Sequence, residues 1–449
     1  MHTSAAEVGD SRPKELALAL ARHERDDPGF WDFATNRRQG GHAFFQYPAM
    51  MVPELQGTLL DDLLAVAPDT TCIYDPFLGS GTVLLESAYR GLAFFGTDIN
   101  PMATLLSRVK ADPPSEEEAA AAVTRVVTRA SAAGDEELHE FTNRDKWFNS
   151  DVALELTRLR ASICKENEAR LRRFLWVCLA ETIRMVSNSR TSTFKLHVYA
   201  AKDLAARKPH AIETFTSIGA SNAARAGEHW RRIHSLPEDR KAGAISIVRG
   251  SVLDDVNVPV RVDAIMTSPP YGDNDTTVPY GQHSYLPLQW IDHADLGADF
   301  DADLIRSTGR LDTVSLGGSL VNALNPADRA RLETASPALR DFNATLEATP
   351  ALLKKVLSFS RDYELALRRS TRPLREGGFS FWTLGQRRVG GLELPLVRIT
   401  AEFLMALGHS EVTTIIRQLP RGRKRMAMRN NIGATMATEH VLVMAKGNQ

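Results

Sequence analysis

Two short segments of the 449-residue chain carry side chains whose types and spacing suit chemistry. The first is Asp75-Pro76-Phe77-Leu78-Gly79-Ser80-Gly81-Thr82. It stands between a β-rich run, Thr71 to Asp75, and a short helical run closed by Gly91. Gly79 and Gly81 allow unusual dihedrals and close approach to a ligand, and the following helix start supplies free N–H groups. The next apolar strand ends in Asp98. A carboxylate there is placed to accept hydrogen bonds from two ribose hydroxyls, as in dinucleotide folds and S-adenosylmethionine folds. Position 84 is Leu where a dinucleotide fingerprint needs its third glycine. Asp75 before the turn would repel a pyrophosphate but suits the cationic methionine end of S-adenosylmethionine. The plainer alternative is a tight βα turn that binds nothing.

The second segment is Thr267-Ser268-Pro269-Pro270-Tyr271, directly after the apolar run 262–266. Two prolines cannot continue a strand ladder, since neither has an N–H. They make a rigid exit at the carboxyl edge of the sheet, where open α/β sheets bind ligands. A hydroxyl and rigid carbonyls there suit a planar amine, and Tyr271 offers a face for a stacked base. A proline-stiffened turn with a packed Tyr is the plainer alternative.

The elements that must position these residues alternate strand, helix and strand, which predicts a parallel α/β sheet. Strands are expected at 71–75, 92–98, 244–248, 262–266 and 378–383, the last after a Gly-Gly turn. Two further runs, 411–419 and 440–445, predict a terminal antiparallel hairpin. Ser115 to Glu118 reads as a capping box. Helices are expected over 13–25, 151–190, 203–234 and 352–369. The hydrophobic fraction of 43% and charged fraction of 24% are those of an ordinary globular chain. A net charge of −1 excludes a globally basic nucleic-acid binder but allows a local basic patch. Cys72, Cys164 and Cys178 are few and not in CxxC spacing, which predicts a reducing, cytoplasmic setting without disulfides. The 12 histidines show no metal-ligand clustering, no apolar run is long enough to span a bilayer, and no secretory signal is expected.

Taken in order, these motifs resemble the amino-methyltransferases that act on DNA at cytosine-N4 or the adenine amino group. DPFLGSGT is similar to their cofactor loop, GTDINPMA to their ribose-binding turn and TSPPY to their (D/N/S)PPY catalytic motif. HAFFQYPAMMVPEL resembles the segment lying against the methionine end of the cofactor, with Met50 where the family has Lys, and SIVRGSVLDD resembles the strand that approaches adenine. The resemblance implies a class I, Rossmann-like methyltransferase fold with helical insertions, and S-adenosylmethionine as cofactor. It implies cofactor contacts from Tyr47, Pro48, Ala49, Asp75, Phe77, Gly79, Gly81, Thr82, Asp98, Asn100 and Asp254. It implies catalysis by Ser268, Pro269, Pro270 and Tyr271. Ser at the head of the motif leans toward cytosine-N4, and DPPY toward adenine. The implied partner is double-stranded DNA with a flipped base, in restriction-modification or related defence with a companion endonuclease.

An exocyclic amine is a poor nucleophile because its lone pair is delocalised into the ring. Ser268 and the Pro269 carbonyl would each accept one N–H, and Tyr271 would stack on the flipped base. Carbon-5 methylation needs a cysteine nucleophile, and none lies near the motif. Candidate phosphate contacts are Arg190 and Lys195 in one polar run, whose alternative and slightly favoured role is to cover the active-site mouth, and Arg421, Arg423, Lys424 and Arg425 in a basic cluster. Tyr280, His283 and Tyr285 follow the motif and are candidates to close over the base. The expected organisation is an extension (1–41), a cofactor half (42–111), a helical insertion and candidate target-recognition region (112–240), core strands with the catalytic motif (241–271), a second insertion and candidate DNA-contacting region (272–350) and a C-terminal half (351–449). Competing readings are an adenine-amino DNA enzyme, an RNA guanine-amino methyltransferase, and a catalytically silent nucleic-acid-binding subunit.

Overall fold

A computed structural model describes residues 10–447 except 36, 135, 238–242, 256, 257, 259, 260, 273–276, 299 and 420–436. Seven strands form one sheet: β1 (Cys72–Asp75), β2 (Ala93–Asp98), β3 (Ile245–Arg249), β4 (Val262–Thr267), β5 (Leu374–Gly385), β8 (His409–Gln418) and β9 (Thr438–Lys446). A separate two-stranded ribbon pairs β6 (Arg387–Val389) with β7 (Leu392–Leu394). The sheet order is β3-β2-β1-β4-β5-β9-β8. The first five strands are parallel, and β9 runs antiparallel to both neighbours. This is the class I, Rossmann-like α/β arrangement with a terminal antiparallel hairpin.

Alternation along the strands assigns the faces. Ile73, Phe94, Met266, Phe381 and Val443 point to one side, where helices Arg12–Asp26, Pro53–Val66 and Thr82–Ala88 cover them. Tyr74, Phe95, Ile265, Trp382 and Leu442 point to the other, against helices Pro350–Thr371 and Leu396–Ala406. Residues between β2 and β3 form a third core instead. Helices Glu116–Ala132, Ser150–Cys164, Ala169–Val186 and Ala211–His234 pack with helix Pro101–Ala111 and residues Phe44, Phe45 and Tyr47. The capping box at Ser115 and Glu118 is present as read.

One expectation changes. The Gly-Gly pair is not a turn before β5 but lies inside it. Gly377 has φ +66°, and pairing with β4 jumps from Leu374 to Phe379 while β4 advances from Val262 to Ala264. A Cβ at Gly378 would sit 2.8 Å from the Asp263 carbonyl oxygen, so only glycine allows this close approach. The second insertion, whose elements the sequence left unassigned, contains helices Tyr280–Trp290, Pro326–Ala335 and Pro337–Thr345. Their starts are set by Pro279, Asn325 and Ser336, the last two with side chains that accept from helical N–H groups.

Candidate active site

At the carboxyl ends of β1, β2 and β4 lies a cleft of about 850 Å³, its open mouth included. The loop between β1 and helix Thr82–Ala88 forms its floor, and its shape is fixed by hydrogen bonds to β2. Leu78 N donates to Thr97 O at 3.0 Å, and Thr97 Oγ1 donates to Pro76 O at 3.1 Å. Gly79 N donates to Asp98 Oδ2 at 2.7 Å. Asn100 N donates to the other carboxylate oxygen, Oδ1, at 2.8 Å. Asp98 is therefore both a lock on the loop and a carboxylate on the cleft wall. Each of its oxygens retains a lone pair after accepting one N–H. Burial raises its pKa to about 6.

The two glycines have different reasons. Gly79 lines the cleft at φ +49°. Gly81, at φ +67°, faces away from it, and a Cβ there would sit 2.8 Å from Ser107 Oγ on the next helix. Gly81→Ala is therefore expected to cost about 1–3 kcal/mol of stability, from backbone strain and the clash together. A chemical-denaturation midpoint checks this; a shift matching a surface Gly→Ala change would contradict it.

Opposite the loop stands the segment before helix Pro53–Val66. Tyr47, Pro48, Ala49, Met50 and Met51 all line the cleft. Ala49 holds φ +46°, strain at a non-glycine residue on a ligand-facing wall. Asn100 caps helix Pro101–Ala111 by accepting from Met102 N, and its Nδ2 donates to Tyr47 Oη at 2.9 Å and Ser284 Oγ at 2.8 Å. Ser268 and Pro270 line the same cleft from the end of β4. The two segments singled out in the sequence thus share one cavity.

The chain is similar to a methyltransferase over nearly its whole length. It is 28% identical over 452 residues to the type II methyltransferase M.MvaI of Kocuria varians, covering 97% of this chain and 98% of that protein. No family model matches the chain. The solved rRNA methyltransferase aviRa from Streptomyces viridochromogenes aligns over 89% of this chain and 86% of its own, at 11% identity and a TM-score of 0.30, too remote to bear on function.

Several expected site residues stand elsewhere. Asp75 is fully buried behind the loop and does not line the cleft. Its Oδ1 accepts from Thr267 Oγ1 at 2.6 Å and Phe77 N at 3.0 Å, clamping the end of β4 to the loop, and its Oδ2 has no hydrogen-bond partner among the described residues. Burial raises its pKa to about 7. Thr82 is buried against Ser80 Oγ at 3.0 Å, within the loop rather than on the cleft. Asp254 is exposed: Asp254 N donates to Ser251 O at 2.9 Å, a turn that carries its side chain off the wall. Gly250, Ser251 and Val252 take that wall instead. Pro269 is buried and only Pro270 of the pair reaches the cavity.

Tyr271 is not a cleft-lining residue. It is partly buried against the core cluster that includes Trp382 and Leu442, and its hydroxyl donates to Glu439 Oε1 at 3.4 Å and lies 3.2 Å from Ser268 Oγ. The expected stacking platform is thus half-buried and outside the cleft lining in this arrangement. Tyr280 does line the cleft, its ring centroid 5.9 Å from that of Tyr47. His283 and Tyr285 turn into the helical core, where His283 Nε2 lies 2.9 Å from Gln46 O. Burial, with Arg184 nearby, lowers the His283 pKa to about 4.

Arg190 and Lys195 come together beside a small depression next to His283, in a loop closed by the Ser189–Val198 bridge. Arg421, Arg423, Lys424 and Arg425 lie outside the described residues. Among the described residues, no His, Cys, Asp and Glu group is arranged to hold a metal, and no helix is long and apolar enough to cross a membrane. Burial pushes the thiols of Cys72 and Cys178 up to about 11 and 12, the wrong direction for a nucleophile.

Sequence reasoning missed Leu311, Ser315 and Leu316, which close the cleft from the second insertion. Asp312 ties them in by accepting from Gly281 N at 2.8 Å and Gln282 N at 3.1 Å. Lys110 was missed as well. It is buried, its Nζ donates to Ser80 O at 2.6 Å, and burial lowers its pKa to about 7. No local motif marks either feature, since both depend on distant segments meeting.

Proposed function

We propose that this chain transfers a methyl group from S-adenosylmethionine to the exocyclic amine of a base in DNA, most favourably cytosine-N4. The observation that carries the reading is one cleft that holds Gly79 and Asp98 on one wall and Ser268 and Pro270 on another. Similarity to a type II methyltransferase along the chain supports the same reaction class.

The residues fit the cofactor by their chemistry. Asp98 has lone pairs for two ribose hydroxyls. Phe77, Leu78, Val252 and Leu316 give the apolar surface an adenine needs. Tyr47, Pro48 and Ala49 would flank the methionine end. When bound, the cofactor supplies an electrophilic methyl group on a sulfonium. Ser268 Oγ, which lines the cleft, would accept one amine N–H and draw the nitrogen toward tetrahedral geometry; the Pro269 carbonyl, the second acceptor expected from the sequence, belongs to a buried residue outside the lining. Most of the rate would come from positioning and fixed dipoles. A flipped base is required, because the amine is paired within a duplex. Arg190, Lys195 and the cluster at 421–425 are the proposed phosphate contacts. A restriction-modification setting with a companion endonuclease is part of this reading.

The test is to incubate the protein with labelled S-adenosylmethionine and PCR-amplified genomic DNA, which carries no methyl groups. Nucleoside digestion and mass analysis then identify the product. N4-methylcytosine is the expected result. N6-methyladenine would reassign the base, and label absent from DNA would overturn the reading.

A further inference from the structure

Ser268 must accept a hydrogen bond from the amine, yet a hydroxyl can donate as readily as accept. What surrounds it decides which it does. Tyr271 Oη has one hydrogen, and Glu439 Oε1 lies 3.4 Å away to receive it. Tyr271 can then only accept from Ser268 Oγ, 3.2 Å away. Ser268 in turn has used its hydrogen on Tyr271, and its lone pairs are left for the cleft it lines. Both contacts are long beside the roughly 2.7–2.8 Å mode of O–H···O bonds. The arrangement therefore supplies direction more than strength.

We propose that Glu439, on β9 and far from the SPPY motif in sequence, sets the direction of a hydrogen-bond chain through Tyr271 that makes Ser268 Oγ an acceptor for the substrate amine. This rests on the amine-methylation reading above. Glu439 is a positioning residue: it touches neither substrate nor cofactor. An ionised carboxylate accepts only, so it fixes one end of the chain. The carboxylate stands two hydroxyls away from the amine rather than beside it. Arg417, side chain 3% exposed, holds its Nη1 3.7 Å from the other oxygen of Glu439 and favours its ionised form. Burial opposes that and raises the Glu439 pKa. β9 brings Glu439 to the motif because it pairs with β5, where Gly385 is its partner, and with β8, where Arg417 is its partner.

The alternative is an ion pair with Arg417 that only holds β8 to β9. Glu439→Gln, Tyr271→Phe, their double variant and Arg417→Met distinguish the two. Gln keeps the volume but can donate toward Tyr271, and Phe keeps the ring while removing the middle of the chain. The full-length proteins are compared for methyl transfer to PCR-amplified genomic DNA, for S-adenosylmethionine binding by calorimetry and for thermal unfolding. The expected result is a drop in turnover of about tenfold or more in each of Glu439→Gln and Tyr271→Phe. The double variant should lose no more than the worse single, with cofactor affinity within twofold of the parent. A stacking role alone would leave Tyr271→Phe at the parental rate. Turnover unchanged in folded Glu439→Gln, or losses that multiply in the double variant, would overturn the proposal. So would a stability loss in Glu439→Gln and Arg417→Met alike with parental turnover in both. If Glu439→Gln does not fold, Tyr271→Phe at the parental rate overturns it alone. A parent that methylates no DNA removes the underlying reading instead, which separates the two failures.

Discussion

Asp98→Ala is expected to abolish measurable cofactor binding at micromolar concentrations while the protein stays folded. The carboxylate accepts from Gly79 N and Asn100 N and offers its remaining lone pairs to the cleft. Removing it forfeits two ribose bonds and unties the glycine loop at once. Hydrogen bonds to charged groups are worth about 1.5–3 kcal/mol each, so two imply roughly 3–6 kcal/mol, a factor of a hundred or more. Calorimetry with S-adenosylmethionine checks this, and parental affinity would remove the ribose assignment. A pH series sharpens it. With a pKa of about 6, Asp98 is ionised above that value, so affinity should hold at neutral pH and weaken as pH falls through 6. The sign for folding is opposite. Its folded pKa is raised from 3.8, so its ionised burial disfavours folding above pH 6, and protonation relieves that cost on the way down. Weaker binding at pH 5 without weaker folding at this site is therefore the signature. Asp98→Asn should lose that pH dependence.

Ser268→Ala is expected to lower turnover by about 10- to 100-fold, equivalent to roughly 1.4–2.8 kcal/mol of barrier, with little change in cofactor or DNA affinity. The hydroxyl matters most as the amine nitrogen becomes tetrahedral, so its loss falls on the transition state and not on either binding step. The change also leaves Tyr271 Oη without its donor, but the residue keeps its place against the core cluster that includes Trp382. Single-turnover kinetics on PCR-amplified DNA separate the effects. A raised KM with parental kcat would make Ser268 a binding residue, and parental values of both would leave TSPPY a stiff turn.

The local sequence determined much of this protein. Strand positions could be read because each parallel strand is a continuous apolar run with a turn signal at its end, and Gly79, Gly81, Asn100 and Ser115 act through their own or adjacent backbone. Asp98, Ser268 and Pro270 fall on one cleft because β2 and β4 flank β1 in parallel, so their carboxyl ends share one edge of the sheet. The tertiary structure decided what no window of sequence contains. It turned Asp75 inward to clamp Thr267. It turned Asp254 outward at a turn closed by Ser251, so that Ser251 and Val252 form the wall. It seated Tyr271 between Ser268 and Glu439, whose position depends on β9 entering antiparallel between β5 and β8. Which side of a turn a side chain occupies is settled by what packs against it, and for Asp75 and Tyr271 the partner lies 192 and 168 residues away.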